Sequence, residues 1–224
     1  MMGVMADGEQ TRDPIREVLG GRGEALDAGL PSVAFLVVWL AADPLGFAQP
    51  VLAGGVASVV VAALVAAWRL RRGERPRAVA VGLLIAVIAA TVALYTGRAQ
   101  DFFLPRIAAN AGSLVAWIAS IAVRWPLLGL VVGAALRRPT AWRRDPDLLR
   151  GYSRASWAWA AQYLVRLAVF VPLWATDLVV PLGIAQIALT WPLVAVCVLV
   201  SWPLVRSALP PGHPGPRHPV EREG

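Results

Sequence analysis

The sequence predicts an all-α, polytopic membrane protein of six transmembrane helices, on three observations. Hydrophobic side chains make up 58% of the 224 residues and charged ones only 16%, which is too apolar for an ordinary soluble domain. The apolar residues fall into separate blocks, each near the ~20 residues that a helix needs to cross a hydrocarbon core. The charges collect between the blocks, as they do in a chain that threads a bilayer repeatedly.

The elements follow in order. Residues 1–28 form a polar N-terminal arm, in which Asp13 is placed to cap, and Pro14 to open, a short amphipathic helix over DPIREVLG. No apolar core precedes Leu30, which argues against a cleaved signal peptide. The membrane domain is expected over 29–206. Its spans run from Gly29 to Phe47, Ala48 to Trp68, Ala78 to Tyr95, Leu104 to Val123, Ala155 to Ala175 and Leu178 to Ser201. Between the fourth and fifth, WPLLGLVVGAAL (Trp125 to Leu136) is too short to cross and suits a cytoplasmic interfacial or re-entrant helix. Its GLVVG, Gly129 to Gly133, fits a small-xxx-small helix-packing pattern. The tail, 207–224, is rich in Pro and charge and is expected to be disordered from Pro210 onward.

Arginine sets the orientation. Arg12, Arg16 and Arg22 lie in the arm, Arg69, Arg71, Arg72, Arg75 and Arg77 after the second span, and Arg206, Arg217 and Arg222 in the tail. Arg137, Arg138, Arg143, Arg144, Arg150 and Arg154 precede the fifth span. Seventeen arginines thus fall on one side, against only Arg98 and Arg106 on the other. By the positive-inside rule both termini are cytoplasmic, in a multi-pass protein of the cytoplasmic membrane. The Arg loops could also hold anionic lipid, at about 1 kcal/mol per residue near the surface.

The net charge of +7 does not point to nucleic acid, because its arginines cluster between apolar blocks and do not interleave with aromatics. The single cysteine, Cys197, excludes an intrachain disulfide, and His213 and His218 sit in the tail away from ligand partners. No cofactor or metal is expected. Nucleotide-binding and hydrolase motifs are absent, so the expectation is a non-enzymatic protein.

One polar phrase occurs twice. GEALDAGLPSVA (Gly23 to Ala34) and GRAQDFFLPRIA (Gly97 to Ala108) both read G-x-A-x-D-x-x-L-P-x-[VI]-A. Three spans separate the copies, so they would enter the membrane from opposite sides. This is the relation expected of an inverted repeat with halves of about 23–95 and 97–206, an arrangement frequent in transporters. The same offset aligns Ala67-Trp68-Arg69 with Ala141-Trp142-Arg143. A chance match in so Ala- and Gly-rich a chain is the competing explanation, and Pro and Asp also suit any helix start.

Arg166 stands out because it lies about 18 Å beyond Arg154 and about 16 Å before Asp177 at helical rise, near the bilayer centre. An intramembrane arginine is costly and normally faces the bundle interior or water. Gln162 and Asp177 project close to it on a helical wheel, and Asn110 and Gln186 are candidate hydrogen-bonding neighbours. Together these five residues form a candidate intramembrane polar site, with a purely structural buried Arg as the alternative. Arg98, Asp101 and Arg106 form a candidate outer-face site, either for an anionic headgroup or pairing among themselves.

GRAQDFFLPRIAAN, VRWPLLG, WRRDP and YSRASW, in that order, resemble an actinobacterial integral-membrane family, domain-of-unknown-function family 3159. The matching positions include Gly97, Arg98, Asp101, Phe102, Phe103, Pro105, Asn110, Arg124, Trp125, Trp142, Asp145, Tyr152 and Trp157, over roughly Asp13 to Arg206. The resemblance implies a membrane fold and brings no reaction with it. More distantly, LDAGLPSVAF and RWPLLG are similar to segments of the intracellular septation protein A family, with Trp125 where that family has a second basic residue. This implies support of cell-envelope or division processes through contacts with a membrane-protein partner or a second copy. The alternative expectation is a small transporter or lipid-handling protein centred on Arg166.

Overall fold

The computed structural model describes residues 22–42, 44–137 and 140–216. The expected amphipathic helix over 13–20, with Asp43, Arg138 and the last eight residues, lies outside them. Among the described residues there is no strand. The helices are α1 (Arg22–Ala42), α2 (Pro50–Arg71), α3 (Pro76–Thr96), α4 (Leu104–Ala122), α5 (Leu127–Ala135), α6 (Pro146–Ala175) and α7 (Val179–Arg206). Short 3₁₀ turns precede α4 (Ala99–Phe103) and α6 (Ala141–Arg144).

Proline sets most of the starts. Pro50, Pro76, Pro105 and Pro146 occupy the first or second positions of α2, α3, α4 and α6, where a missing N–H leaves no hydrogen bond unmade. Gly97 ends α3 with φ 71°, the left-handed conformation that glycine adopts at least cost. Five stretches are long and apolar enough to cross a membrane: α2, α3, α4 with its preceding 3₁₀ turn, α6 and α7. The first expected span was drawn to Phe47, but α1 stops at Ala42 and its apolar part, Gly29–Ala42, is shorter than the others. The chain is a multi-pass, all-helical membrane protein.

The six long helices pack in a ring in which each touches the next: α1 with α2, α2 with α3, α3 with α4, α4 with α6, α6 with α7, and α7 back to α1. The α1–α2, α2–α3, α4–α6 and α6–α7 pairs pack more extensively than the two junctions, α3–α4 and α7–α1. These neighbours are the ones that two three-helix halves require, and also those of a simple sequential ring. The repeated phrase does not fold alike in its two copies. Pro31 lies inside α1, whereas Gly97 ends one helix and Pro105 begins another. Its aligned tryptophans differ too, with Trp68 exposed at the end of α2 and Trp142 buried.

Two apolar cores hold the ring. One is aromatic: Phe35 of α1 stacks on Phe102 at a centroid distance of 4.0 Å, Phe103 packs edge-on to Phe102 at 5.3 Å, and Phe170 of α6 joins them. All five residues of the Ala99–Phe103 turn are buried, so this turn enters the bundle as a wedge. The other core gathers Leu128, Trp142, Leu148, Tyr152, Ala155 and Val205 at the opposite end. Here α5 is the short helix expected of WPLLGLVVGAAL, but Gly129 is matched to an aromatic ring, not to another helix. A Cβ at Gly129 would sit 2.9 Å from the Trp142 ring.

Two expectations are corrected at this end. The fifth span was placed from Ala155, but α6 begins at Pro146 and has 30 residues, about 45 Å at 1.5 Å per residue. Asp145 is the reason, since its Oδ1 accepts the amides of Asp147 (3.0 Å) and Leu148 (3.1 Å) and caps the added turns. The tail was expected to be disordered from Pro210, with His213 away from partners. Instead His213 Nε2 lies 2.9 Å from Asp145 Oδ2, and the Gly215 amide donates to His213 Nδ1 (2.9 Å), so residues 207–216 fold back over the start of α6. The metal-capable atoms of Asp145, Asp147 and His213 lie within 4.8 Å of one another. Protein donors already engage both carboxylates, Asp147 through Arg150, so the cluster works as a cap and tail anchor.

Two substitutions test this end of the bundle. Gly129→Val should lower the thermal midpoint in detergent by the equivalent of about 1–3 kcal/mol, the usual effect of overpacking against a ring that cannot move. Asp145→Ala should cost about 1 kcal/mol through the lost cap and should also expose the tail, read as faster proteolysis after residue 207.

Candidate functional site

Three helices each carry two polar side chains one turn apart, and therefore on one face: Arg106 and Asn110 on α4, Gln162 and Arg166 on α6, Gln186 and Thr190 on α7. The ring turns these faces toward one another. Arg166 is buried and donates from Nη2 to Gln162 Oε1 (3.0 Å) and to the Thr190 carbonyl oxygen (2.8 Å). Arg106 donates from Nη2 to the Thr190 hydroxyl (3.3 Å), and that hydroxyl donates to the Gln186 carbonyl. The two guanidiniums thus meet on one residue. Tyr163 lies beside them, its ring centroid 5.4 Å from Arg166 Cζ.

What the node lacks defines its chemistry. Among the described residues no carboxylate pairs with Arg106 or Arg166. Three buried donors have no acceptor: Arg166 Nε, Gln162 Nε2 and Gln186 Nε2. A buried polar group without a partner costs about 1–3 kcal/mol, and more when it is charged. The node therefore holds surplus donors and surplus positive charge, and the group that would satisfy both is an anion.

The structure joins Gln162 to Arg166 as expected, whereas Gln186 is buried one turn before Thr190 and its side-chain amide makes no hydrogen bond to Arg166. Asn110 is buried nearby, but its Nδ2 donates to the Arg106 carbonyl oxygen of its own helix (2.7 Å) and does not reach across. Asp177 is a correction, because it does not join Arg166. The helix ends at Ala175, and Asp177 follows with φ 57°, so a wheel extended from Arg166 no longer applies. Its carboxylate is exposed and accepts from Arg98 Nη2 (2.8 Å) and from Gln100.

The outer-face trio is also taken apart. Arg98 pairs with Asp177, whose hydrogen bond and charge hold the guanidinium above its ordinary pKa. Asp101 is buried and accepts from Trp174 Nε1 (2.8 Å). Arg106 reaches inward to the node. Thr190 is the residue of this polar cluster that sequence reading missed. Its signal was the four-residue spacing from Gln186, which no charge marked.

Long apolar helices packed around a polar cluster centred on the buried Arg166 define a polytopic membrane protein with a candidate polar site. The chain belongs to the DUF3159 family of proteins of unknown function, which matches residues 19–212 and so includes every residue of the node. No curated protein and no solved structure matches it.

The Asp101 and Arg98 contacts should respond differently to substitution. Asp101→Ala removes the charged acceptor of the half-buried Trp174 N–H and should cost about 1–3 kcal/mol in detergent thermal unfolding. Arg98→Ala removes an exposed ion pair and should leave the midpoint within experimental scatter. Equal effects would contradict the separate roles given to Asp101 and Arg98.

Proposed function

We propose that the protein is a lipid-handling or small transport protein that binds an anion at the node of Arg106, Gln162, Arg166, Gln186 and Thr190. One observation carries this: buried Arg166 and exposed Arg106 converge on Thr190 beside three buried donors without acceptors, and among the described residues no carboxylate pairs with either arginine. A structural arginine would be expected to bring its acceptors with it, whereas this node has acceptors for only part of its donors. The node also sits where α4 and α7 approach α1 and α3, as binding sites do between the halves of transporters. We infer a non-enzymatic function, in keeping with a node whose donors are suited to holding an anion.

We place the protein in the cytoplasmic membrane with both termini inside, serving the cell envelope or its division. The clustering of arginine supports the orientation, and the resemblance to septation proteins supports the setting. Arg72 lies over the Trp68 ring at 3.5 Å and Arg143 over Trp125 at 3.9 Å, which holds two guanidiniums of these clusters beside aromatic anchors suited to anionic lipid.

Two experiments test these proposals. In neutral detergent, sulfate or phosphate should raise the wild-type thermal midpoint, by the equivalent of about 2.7 kcal/mol at a hundredfold excess over Kd. Arg166→Gln and Arg106→Gln should each abolish the rise, and an anion response that survives both substitutions would reject the node. For orientation, in a Cys197→Ser background an impermeant maleimide should label Ala48→Cys, but not Arg75→Cys, in intact cells. The reverse pattern would overturn the topology.

A further inference from the structure

A cleft of about 80 Å³ leads toward the node from the outer wall of the ring. Ser32 of α1, Gly82 and Ala86 of α3, Pro105 and Arg106 of α4 and Gln186 of α7 line it, so it lies between the two halves. Its lining runs from exposed residues, Gly82 and Arg106, to buried ones, Ala86 and Gln186. Gln186 is only 4% exposed, and its Nε2 is one of the donors without an acceptor. Behind it stand the Thr190 hydroxyl and the guanidinium of Arg166. Among the described residues no acidic side chain lines the cleft.

The position of the mouth selects the ligand. Gly82 lies about 9 Å along α3 from Pro76 and about 21 Å from Thr96 at helical rise, within a span apolar enough to cross the membrane. A soluble anion would have to pass through hydrocarbon to reach such an opening. An amphiphile would not, because its chains can stay among the lipids while its charged end turns inward. The mouth is also unobstructed, since a Cβ added at Gly82 would meet no atom within 4 Å. The small cleft leaves no room for a bulky headgroup, whereas a terminal phosphate presents several acceptor oxygens to a donor-only site. Two arginines with amide donors are well matched to a phosphate monoester.

We infer that the node binds the terminal phosphate of a membrane lipid that enters sideways between α3 and α4, its chains remaining outside along Gly82, Ile85 and Pro105. This rests on the anion-binding function proposed above and adds the ligand class and the route. Free phosphate offers the same chemistry without the chains.

The test uses the full chain in phosphatidylcholine nanodiscs containing phosphatidic acid, with native mass spectrometry of the lipid retained on release, and inorganic phosphate in neutral detergent as the soluble arm. The wild type should retain phosphatidic acid over phosphatidylcholine by about tenfold relative to their membrane ratio. Arg106→Gln should abolish that preference, and Gly82→Phe, which fills the mouth at an exposed helix position, should reduce it at least fivefold. Phosphate stabilisation in detergent without retained phosphatidic acid would overturn the lipid ligand and leave an anion site intact. Equal retention by the wild type and both variants would mean annular lipid only and would also overturn the inference. A wild type that responds to neither phosphate nor phosphatidic acid would overturn the anion-binding function itself.

Discussion

A guanidinium in the middle of a membrane helix must take its acceptors from the protein, because hydrocarbon offers none. Arg166 meets that constraint with one acceptor on its own helix, Gln162, and one on its neighbour, the carbonyl oxygen of Thr190. The second bond fixes the register of α7 against α6. Other polar contacts keep the same register further along, with Trp159 Nε1 donating to the Ser201 hydroxyl (3.0 Å) and the Cys197 thiol to the Ala158 carbonyl oxygen (3.4 Å). Once α7 is set, Thr190 presents its hydroxyl to α4, and Arg106 turns inward to meet it. An arginine near a helix end ordinarily extends toward the membrane surface, so the inward turn of Arg106 is a second charge committed to the same place.

The remaining geometry holds that node in position from both ends. On the α3–α4 side, the Ala99–Phe103 wedge locks against Phe35 and Phe170, while Asp101 ties the wedge to Trp174 at the end of α6. At the other end, Asp145 caps α6, and Trp142 packs into the space that Gly129 leaves open. α6 is therefore fixed above and below the residue that carries the buried charge. Its length follows from the same requirement, since a helix that began at Ala155 would have no cap and no tail contact. Small residues do the corresponding work in the first half. Ala86, Ala89, Ala90 and Ala93 of α3 are buried, and a Cβ at Gly54 of α2 would lie 3.0 Å from the Phe35 carbonyl oxygen of α1.

Much of this was legible in the sequence, and what was missed shares a cause. Apolar blocks, arginine clusters and proline starts are local signals, and they placed α2, α3, α4 and α7 within a few residues. Arg166 and Gln162 were visible as a pair because four residues on one helix must share a face. Asp177 was misplaced because that rule fails where the helix ends at Ala175. Arg98, Asp101 and Arg106 were grouped by nearness in sequence, yet a 3₁₀ turn and a helix start aim the three side chains in different directions. Thr190 and the His213–Asp145 contact are pairings between distant segments, and composition reports nothing about them. The repeated phrase shows that identical letters do not impose identical backbone, since one copy begins at a helix-ending glycine and the other runs within a helix.

The node and the cleft sit at a junction, and this has a thermodynamic consequence. α1, α2 and α3 pack closely in sequence, as do α4, α6 and α7, while these two groups of helices meet over the thinner α3–α4 and α7–α1 contacts. Ser32 and Gly82 belong to one half, and Arg106 and Gln186 to the other. A ligand seated between them would contact both halves at once, and anything that binds only the assembled arrangement stabilises it by mass action. Occupancy and the closeness of the two halves are then linked, each favouring the other. Unpartnered donors at such a junction weaken it when it is empty and strengthen it when it is filled. Of the unpartnered donors Gln186 is the one that lines the cleft, so a ligand seated there would act on the contact between α3 and α4.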